Sequence, residues 1–195
     1  MSDTKSIKIL LAGNINAGKT TLCTVFNTGK GIKGDDSKSS KTPEKPAERP
    51  EKAKLKVISL KKEKVVVNLV DTCGEERFRT LSSSYYNDVD GVLVAFDLGD
   101  KESFNDAERW LNEAGFLSEK KNLHKMLVGT KSDRERSVTT SEAEALAGKM
   151  KIPYFEVTAT KRKSIVNALS IFSEFILHEN VYTISNVSSS SCICQ

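Results

Sequence analysis

The sequence feature that most constrains this chain is residues 13–20, which read Gly-Asn-Ile-Asn-Ala-Gly-Lys-Thr and match the pattern G-x-x-x-x-G-K-[ST]. An apolar run over residues 7–12 predicts a buried strand before this loop, and residues 18–26 predict a helix after it. In such a strand-loop-helix unit, backbone N–H groups and the helix N-terminus can surround phosphate groups. The pattern therefore predicts a phosphate-binding loop, against the alternative of a glycine turn that binds nothing.

Two side chains of this phosphate loop (residues 13–20) have predicted chemical roles. The ammonium of Lys19 is predicted to neutralise the β and γ oxygens of a nucleotide, and the hydroxyl of Thr20 is predicted to ligate Mg²⁺. The other residues predicted to contact the nucleotide here are Gly13, Asn14, Ile15, Asn16, Ala17, Gly18 and Thr21.

Segments typical of strands alternate with segments typical of helices along the chain. The predicted strands cover residues 7–12, 55–60, 65–70, 91–96, 126–129 and 153–157, and the second and third form an antiparallel hairpin. Further helices are predicted after Asp100, after the capping box of Thr139 and Glu142, and along the apolar face that runs from Ile165 to Ile176. This alternation predicts an α/β domain with a mostly parallel sheet, whose ligands lie at the carboxyl ends of the strands.

The length of 195 residues suits one ordinary domain with appendages. Residues 1–6 are predicted to be an N-terminal extension, residues 7–179 the domain, residues 29–53 a disordered insertion and residues 180–195 a flexible tail. A net charge of +4 is too small to indicate nucleic-acid binding. The N-terminus lacks the apolar region of a signal peptide and no apolar run approaches the roughly 18 residues of a membrane span, so we expect a protein that is not secreted.

Two further motifs follow predicted strands. Asp71 and Gly74 frame a short motif in which the carboxylate can hold the Mg²⁺ shell through water and the glycine N–H can reach a γ-phosphate. In Thr130-Lys131-Ser132-Asp133, the carboxylate can accept from the N1–H and the exocyclic amine of guanine, a pattern that adenine lacks. Alone, the first motif would be a turn and the second a solvated loop, but their combination with the phosphate loop favours GTP or GDP as the ligand.

These motifs resemble those of the small GTPases of the Ras superfamily. Residues 76–81 (Glu-Arg-Phe-Arg-Thr-Leu), followed by Tyr85 and Tyr86, are similar to the Rab branch, and residues 93–97 (Leu-Val-Ala-Phe-Asp) fit as well. The resemblance implies a P-loop NTPase small G-domain, α/β, with a central six-stranded sheet and helices on both faces. It also implies a GTP/GDP switch in vesicle traffic that works with effectors, an exchange factor and a GTPase activator.

The resemblance also assigns roles to single residues. Thr158, Ala159 and Thr160 stand where the family has the base-binding Ser-Ala-Lys, so they are expected to contact guanine. Gly74, Glu75 and Lys19 are the expected catalytic residues. The Mg²⁺-binding threonine of the first switch has no clear equivalent, since the nearest upstream candidate, Thr42, is displaced by a stretch rich in Pro and Lys.

Several departures from the family pattern predict slow GTP hydrolysis. Glu75 replaces a glutamine and would place a carboxylate near an anionic γ-phosphate, and the branched Ile15 replaces a small residue on the route of an arginine finger. Asn16 replaces a glycine, although asparagine tolerates positive φ better than most residues. Thr130 replaces the usual asparagine, and the aromatic residue that stacks on guanine falls near Gly31 and Ile32. The alternative is a scaffold that binds GTP without hydrolysing it.

The C-terminus predicts lipidation. Cys192 and Cys194 resemble the doubly prenylated tail of Rab proteins and also fit a C-a-a-X motif, against the alternative of an unmodified tail. Prenylation implies a prenyltransferase, a membrane-extraction factor and a place on the cytoplasmic face of an intracellular membrane, with a cytosolic pool. Phe26, Trp110 and Phe116 are predicted to pack in the interior, and His124 and His178 to be structural.

Overall fold

The structure is a computed structural model that describes residues 5–31, 55–60, 64–72, 86–120 and 123–178. Several sequence predictions lie outside these described residues. They concern Thr42, Gly74, Glu75, residues 76–81, Tyr85, Cys192, Cys194, the tail and most of the 29–53 insertion.

Six strands form one sheet. They are β1 (Lys5–Ala12), β2 (Leu55–Ser59), β3 (Lys64–Asp71), β4 (Gly91–Asp97), β5 (His124–Thr130) and β6 (Tyr154–Glu156). The spatial order is β2-β3-β1-β4-β5-β6, and every neighbouring pair is parallel except β2 and β3, which are antiparallel. The predicted hairpin and the mostly parallel sheet are thus confirmed, although β1 and β5 each begin two residues earlier than predicted.

Among the helices that lie wholly within the described ranges, three connect strands and a fourth follows β6. They are α1 (Lys19–Thr28), α2 (Lys101–Leu117), α3 (Thr140–Met150) and α4 (Arg162–Leu177). The side chain of Asp100 accepts a hydrogen bond from the N–H of Glu102, and Thr139 and Glu142 form both bonds of a capping box. These caps satisfy backbone donors that the first turns leave unpaired, and both were predicted from the sequence.

Apolar side chains lie on both faces of the sheet. On one face α1 and α4 pack through Phe26 and Phe172 against side chains of β1, β3 and β5. On the other face α2 and α3 pack against Leu10, Phe96 and their neighbours. Burial of a parallel sheet on both faces explains why its strands read as nearly continuous apolar runs rather than alternating ones. The predicted α/β fold is therefore confirmed.

Three aromatic side chains were predicted to pack in the interior, and two of these predictions are confirmed. Phe26 is fully buried and Trp110 is 4% exposed, as predicted. The prediction for Phe116 was wrong, because its side chain is 89% exposed. Phe116 follows the buried Ala114 by two residues, which is about 200° of helix rotation and points it away from the sheet. In the part of the chain that the structure describes, no helix has the length and apolar character needed to cross a bilayer.

Candidate functional site

The phosphate loop follows the carboxyl end of β1 and has a backbone conformation that few residues can adopt. Gly13 has a φ of 132°, and a Cβ atom there would lie 2.1 Å from the carbonyl oxygen of Ala95 in β4. Asn16 has a φ of 65° and Gly18 a φ of 84°, both in the left-handed region. The N–H of Ala17 donates to the carbonyl of Asn14 at 3.2 Å and closes the turn. Asn16 thus adopts the positive φ that was predicted to be tolerable there.

The ammonium of Lys19 lies at this loop although the side chain is only 4% exposed. Its Nζ atom donates to the carbonyl oxygen of Gly13 at 2.9 Å and to that of Asn14 at 2.7 Å. Gly18 is the N-cap of α1 and supplies no side-chain cap, and the first turn of α1 contains no acidic residue. The N-terminal end of the helix dipole and a buried cation therefore converge at one point, which suits an anionic ligand.

A hydroxyl and a carboxylate meet beside the loop. Thr20 Oγ1 donates to Asp71 Oδ2 at 2.6 Å, and Asp71 is paired with Leu11 at the ends of the parallel strands β3 and β1. The described residues contain no cluster of three or more His, Cys, Asp or Glu side chains that could hold a metal on its own. Mg²⁺ typically takes one or two protein oxygens and completes its shell with phosphate and water. Thr20 and Asp71 fit that donor set.

The carboxylate of Asp133 lies near the start of the loop that follows β5, and threonines hold it in place. Thr158 Oγ1 lies 2.6 Å from Asp133 Oδ1, and Thr160 Oγ1 lies 3.5 Å from Oδ2. The N–H of Thr160 donates to Thr158 Oγ1 at 3.2 Å, which fixes the relative position of the two threonines. A carboxylate oriented in this way can accept two hydrogen bonds from one ligand edge.

An ion pair joins the two segments that carry this carboxylate and its threonine partner. Arg136, in the loop after β5, donates from both terminal nitrogens to Glu156 of β6, at 3.2 and 2.8 Å. The hydrogen bonds that Arg136 donates to Glu156 raise the pKa of Arg136. Burial alone would raise the pKa of Glu156, but hydrogen bonds from Arg136, Thr140 and Tyr154 outweigh it and lower that pKa. Both side chains are therefore charged near neutral pH and hold the two segments together.

Thr130 connects the base side of the site to the phosphate loop. Its hydroxyl is buried and lies 2.9 Å from the carbonyl oxygen of Ala17 and 3.0 Å from that of Phe96. One hydroxyl proton is shared between these two acceptors. A Cβ atom at Gly18 would lie 3.3 Å from Thr130 Oγ1, a tight contact at a residue whose φ of 84° already favours glycine. Thr130 thus supports the loop from within the protein.

Gly31 and Thr160 approach each other closely at the place where a base-stacking aromatic was expected. A Cβ atom at Gly31 would lie 2.7 Å from the carbonyl oxygen of Thr160 and 3.3 Å from that of Ala159. The backbone of the segment after α1 therefore contacts the Thr158–Thr160 turn directly. Gly31 presents no ring to a purine, and Ile32 lies outside the described residues.

Sequence reasoning missed three residues that contact this site. Asp97, the last residue of β4, forms an ion pair with Lys131, in which Lys131 Nζ lies 2.5 Å from Asp97 Oδ2. The backbone of Lys131 has a φ of 57°, in the left-handed region. Asp106 and Trp110 of α2 both contact the side chain of Asn14. The end of β4 at the ligand edge and the i, i+4 spacing of the two helix residues were the available signals.

Comparison with known proteins agrees with this geometry. The sequence profile of the Ras family matches residues 8–178. The chain is 33% identical over 173 residues to the Ras-related protein Rab-18 of Lymnaea stagnalis, covering 88% of this chain and 81% of that protein. It is 37% identical to the GTP-binding protein YPTM2 of Zea mays over 59% of this chain, and to the Ras-related protein RABD2b of Arabidopsis thaliana over the same share. The matched segment spans 57% of the length of each of these two plant relatives.

The profile match covers most of the chain, and a Rab protein is matched over more than two thirds of both sequences. The mostly parallel six-stranded sheet with helices on both faces, and the phosphate loop that follows β1, are the architecture that the resemblance implied. This chain belongs to the Ras family of small GTPases, in its Rab branch.

Proposed function

We propose that the protein is a Rab-type switch that binds GTP and GDP with Mg²⁺ and changes its partners with the nucleotide. The observation that carries this proposal is the placement of two separate ligand-binding groups at one edge of the sheet. Lys19 is buried against the phosphate loop, and Asp133 is oriented by Thr158 beside the turn that follows β6. A cation for phosphates and a carboxylate for a purine edge together suit a guanine nucleotide.

The residues divide the work of binding between them. The loop 13–18 and the start of α1 surround the phosphates with N–H groups, and Lys19 adds a positive charge beside them. Thr20 and Asp71 would hold Mg²⁺, which when bound supplies charge neutralisation on the β and γ oxygens. Asp133 would read the guanine edge, with Thr158, Ala159 and Thr160 completing the base-binding turn.

The direct test is the nucleotide content of the purified protein, measured by anion-exchange chromatography of the released ligand with and without a chelator of Mg²⁺. We expect a guanine nucleotide in near-equimolar amount, released faster when Mg²⁺ is removed. Protein that carries no nucleotide and takes up none from solution would overturn the proposal. Persistent bound GTP would indicate slow turnover, whereas bound GDP would show that hydrolysis proceeds.

Slow hydrolysis is part of the proposal. Ile15 is 54% exposed at the mouth of the phosphate loop, where its branched side chain would stand in the way of an arginine supplied by a partner. Glu75 places a negative charge where the family has a neutral amide that positions water. Water-positioning groups and arginine fingers each contribute large factors to the rates of GTPases, so changes at both positions reduce turnover.

The variant Glu75→Gln tests this explanation. We expect the single-turnover rate of GTP hydrolysis to rise by about tenfold, because the amide positions water without repelling the γ-phosphate. Glu76→Gln makes the same chemical change at the next residue and serves as the matched control. An unchanged rate in Glu75→Gln would contradict the explanation and favour a scaffold that binds GTP without hydrolysing it.

We also propose that the protein acts in vesicle traffic on the cytoplasmic face of a membrane, held there by prenyl groups on Cys192 and Cys194. The support is the Rab relatives and the C-x-C tail, in which two lipids would give the stable anchoring that one chain does not. Intact-mass measurement after expression in a eukaryotic host should show one or two added prenyl groups, and both should be absent from a Cys192→Ser, Cys194→Ser variant. Two unmodified cysteines in the wild type would contradict lipid anchoring.

A further inference from the structure

The side chain of Asn14, in the phosphate loop, is held at both ends by helix α2. The indole N–H of Trp110 donates to Asn14 Oδ1 at 2.8 Å, and Asn14 Nδ2 donates to Asp106 Oδ2 at 2.6 Å. Asp106 Oδ1 in turn lies 3.1 Å from the guanidinium of Arg109. A carboxamide has one end that accepts and one that donates, and here each end meets its complement.

The positions of Asp106 and Trp110 on α2 allow both side chains to contact Asn14. Asp106 and Trp110 are four residues apart, so both project from one side of α2, and Trp110 is almost completely buried. A buried indole N–H that lost its acceptor would carry the cost of an unsatisfied donor. An aspartate at position 14 would accept from Trp110 but would place a second carboxylate against Asp106. The arrangement therefore favours asparagine over its acidic isostere.

The same residue supports the group that faces the phosphates. The carbonyl oxygen of Asn14 accepts hydrogen bonds from Lys19 Nζ at 2.7 Å and from the N–H of Ala17 at 3.2 Å. Fixing the side chain of Asn14 thus fixes the orientation of a carbonyl that positions the buried ammonium. The chain of contacts runs from α2 through one loop residue to Lys19.

We propose that Asp106 and Trp110 are positioning residues, which act through Asn14 to keep the phosphate loop in its binding conformation. The proposal rests on the proposed nucleotide binding at that loop. Neither residue is expected to touch the nucleotide. Loosening the pair allows the loop and Lys19 to leave their binding geometry more often, and the nucleotide dissociates faster.

The first measurement is the dissociation rate of a fluorescent GDP analogue in the presence of Mg²⁺. We expect Trp110→Phe, which keeps a ring but removes the donor, to dissociate the analogue about five- to tenfold faster. Asp106→Asn, which removes the charge and keeps an acceptor, should give a smaller increase of about threefold. The matched control is Glu108→Gln on the same helix, which removes the ion pair with Lys149 and should leave the rate unchanged.

The second measurement reads the contact without any bound nucleotide. Trp110 is the only tryptophan in the 195 residues, so the intrinsic fluorescence of the protein reports its surroundings. In nucleotide-free protein, Asn14→Ala should shift the emission maximum and speed hydrogen exchange of the amides of residues 13–17, while Glu108→Gln does neither. Asn14 and Asp106 are only partly buried, so their variants remain informative if Trp110→Phe does not fold.

The double variant Asn14→Ala, Trp110→Phe separates positioning from general stability. If Trp110 acts through Asn14, its substitution should add almost nothing to the dissociation rate once Asn14 is alanine. Multiplying effects in the double variant, or unchanged rates in the single variants of a protein that binds GDP, would overturn the proposal. A wild type that binds no nucleotide would instead overturn the proposed function, and the fluorescence and exchange measurements would still decide whether the α2 contact orders the loop.

Discussion

Replacing Lys19 by alanine is expected to lower the affinity for both GDP and GTP by roughly 30- to 4,000-fold. Truncating one partner of a buried, hydrogen-bonded charge pair costs about 2–5 kcal/mol, and that range gives these factors. With a nucleotide bound, Lys19 and the phosphates would form such a pair, because the side chain is buried and the carbonyls of Gly13 and Asn14 hold its Nζ at the phosphate loop. Titration of nucleotide-free protein with each nucleotide measures the loss.

Two control variants define what such a loss means. Lys149→Ala removes the same charge at the far end of α3, where Lys149 pairs with Glu108, and should leave the affinity unchanged. Lys19→Arg keeps the charge but cannot fit the same two carbonyls with a planar group, so we expect an intermediate loss. Equal affinity in Lys19→Ala and the wild type would show that the phosphates bind elsewhere.

The fold could be predicted from the sequence because its signals are local and repeated. The strands are buried on both faces and read as apolar runs, and the helices carry recognisable caps at Asp100 and at Thr139 with Glu142. Alternation of the two element types then fixes a mostly parallel sheet. Phe116 was misplaced because helical spacing indicates a shared face only when the offset is three or four residues.

The candidate site was predictable in its motifs and less so in its contacts. Lys19, Thr20, Asp71 and Asp133 are found at the ligand edge, as strand-end motifs require. The hydroxyl contact of Thr130 with Ala17 and the contact of Asn14 with α2 join residues more than 90 positions apart. Such pairs depend on the tertiary arrangement of two elements, which a pattern within one segment does not contain.

Two positions at which this chain departs from the family pattern bear on how tightly the proposed nucleotide would be held. Thr130 supports the phosphate loop with one hydroxyl proton shared between two carbonyls, and Gly31 brings backbone rather than a ring to the base-binding turn. In the proposed guanine-nucleotide complex, both changes would reduce what holds the base side, whereas the phosphate side would keep Lys19 and the N-terminus of α1. Under the proposed function, selection of guanine would therefore rest heavily on the carboxylate of Asp133.

The variant Asp133→Asn should accordingly change which base is bound. Thr158 Oγ1 donates to Asp133 Oδ1 at 2.6 Å, and in the variant this hydroxyl would retain the amide oxygen and turn the NH₂ group toward the base. That group faces the N1–H and amine of guanine as a third donor, so we expect GDP affinity to fall at least about a hundredfold. Xanthine carries an oxygen in place of the amine and can accept from the new NH₂ group. Xanthosine diphosphate should therefore bind the variant more tightly than the wild type.

Competition between GDP, xanthosine diphosphate and ADP for one labelled nucleotide measures this change. Glu135→Gln removes the same charge two residues away on an exposed side chain and should preserve the wild-type preference. A general loss of affinity for every base in Asp133→Asn would mean that Asp133 maintains the loop between β5 and α3 rather than reading the base. A reversal of preference with the phosphate affinity intact can arise only if the carboxylate meets the purine edge directly, because a purely structural change does not exchange one base for another.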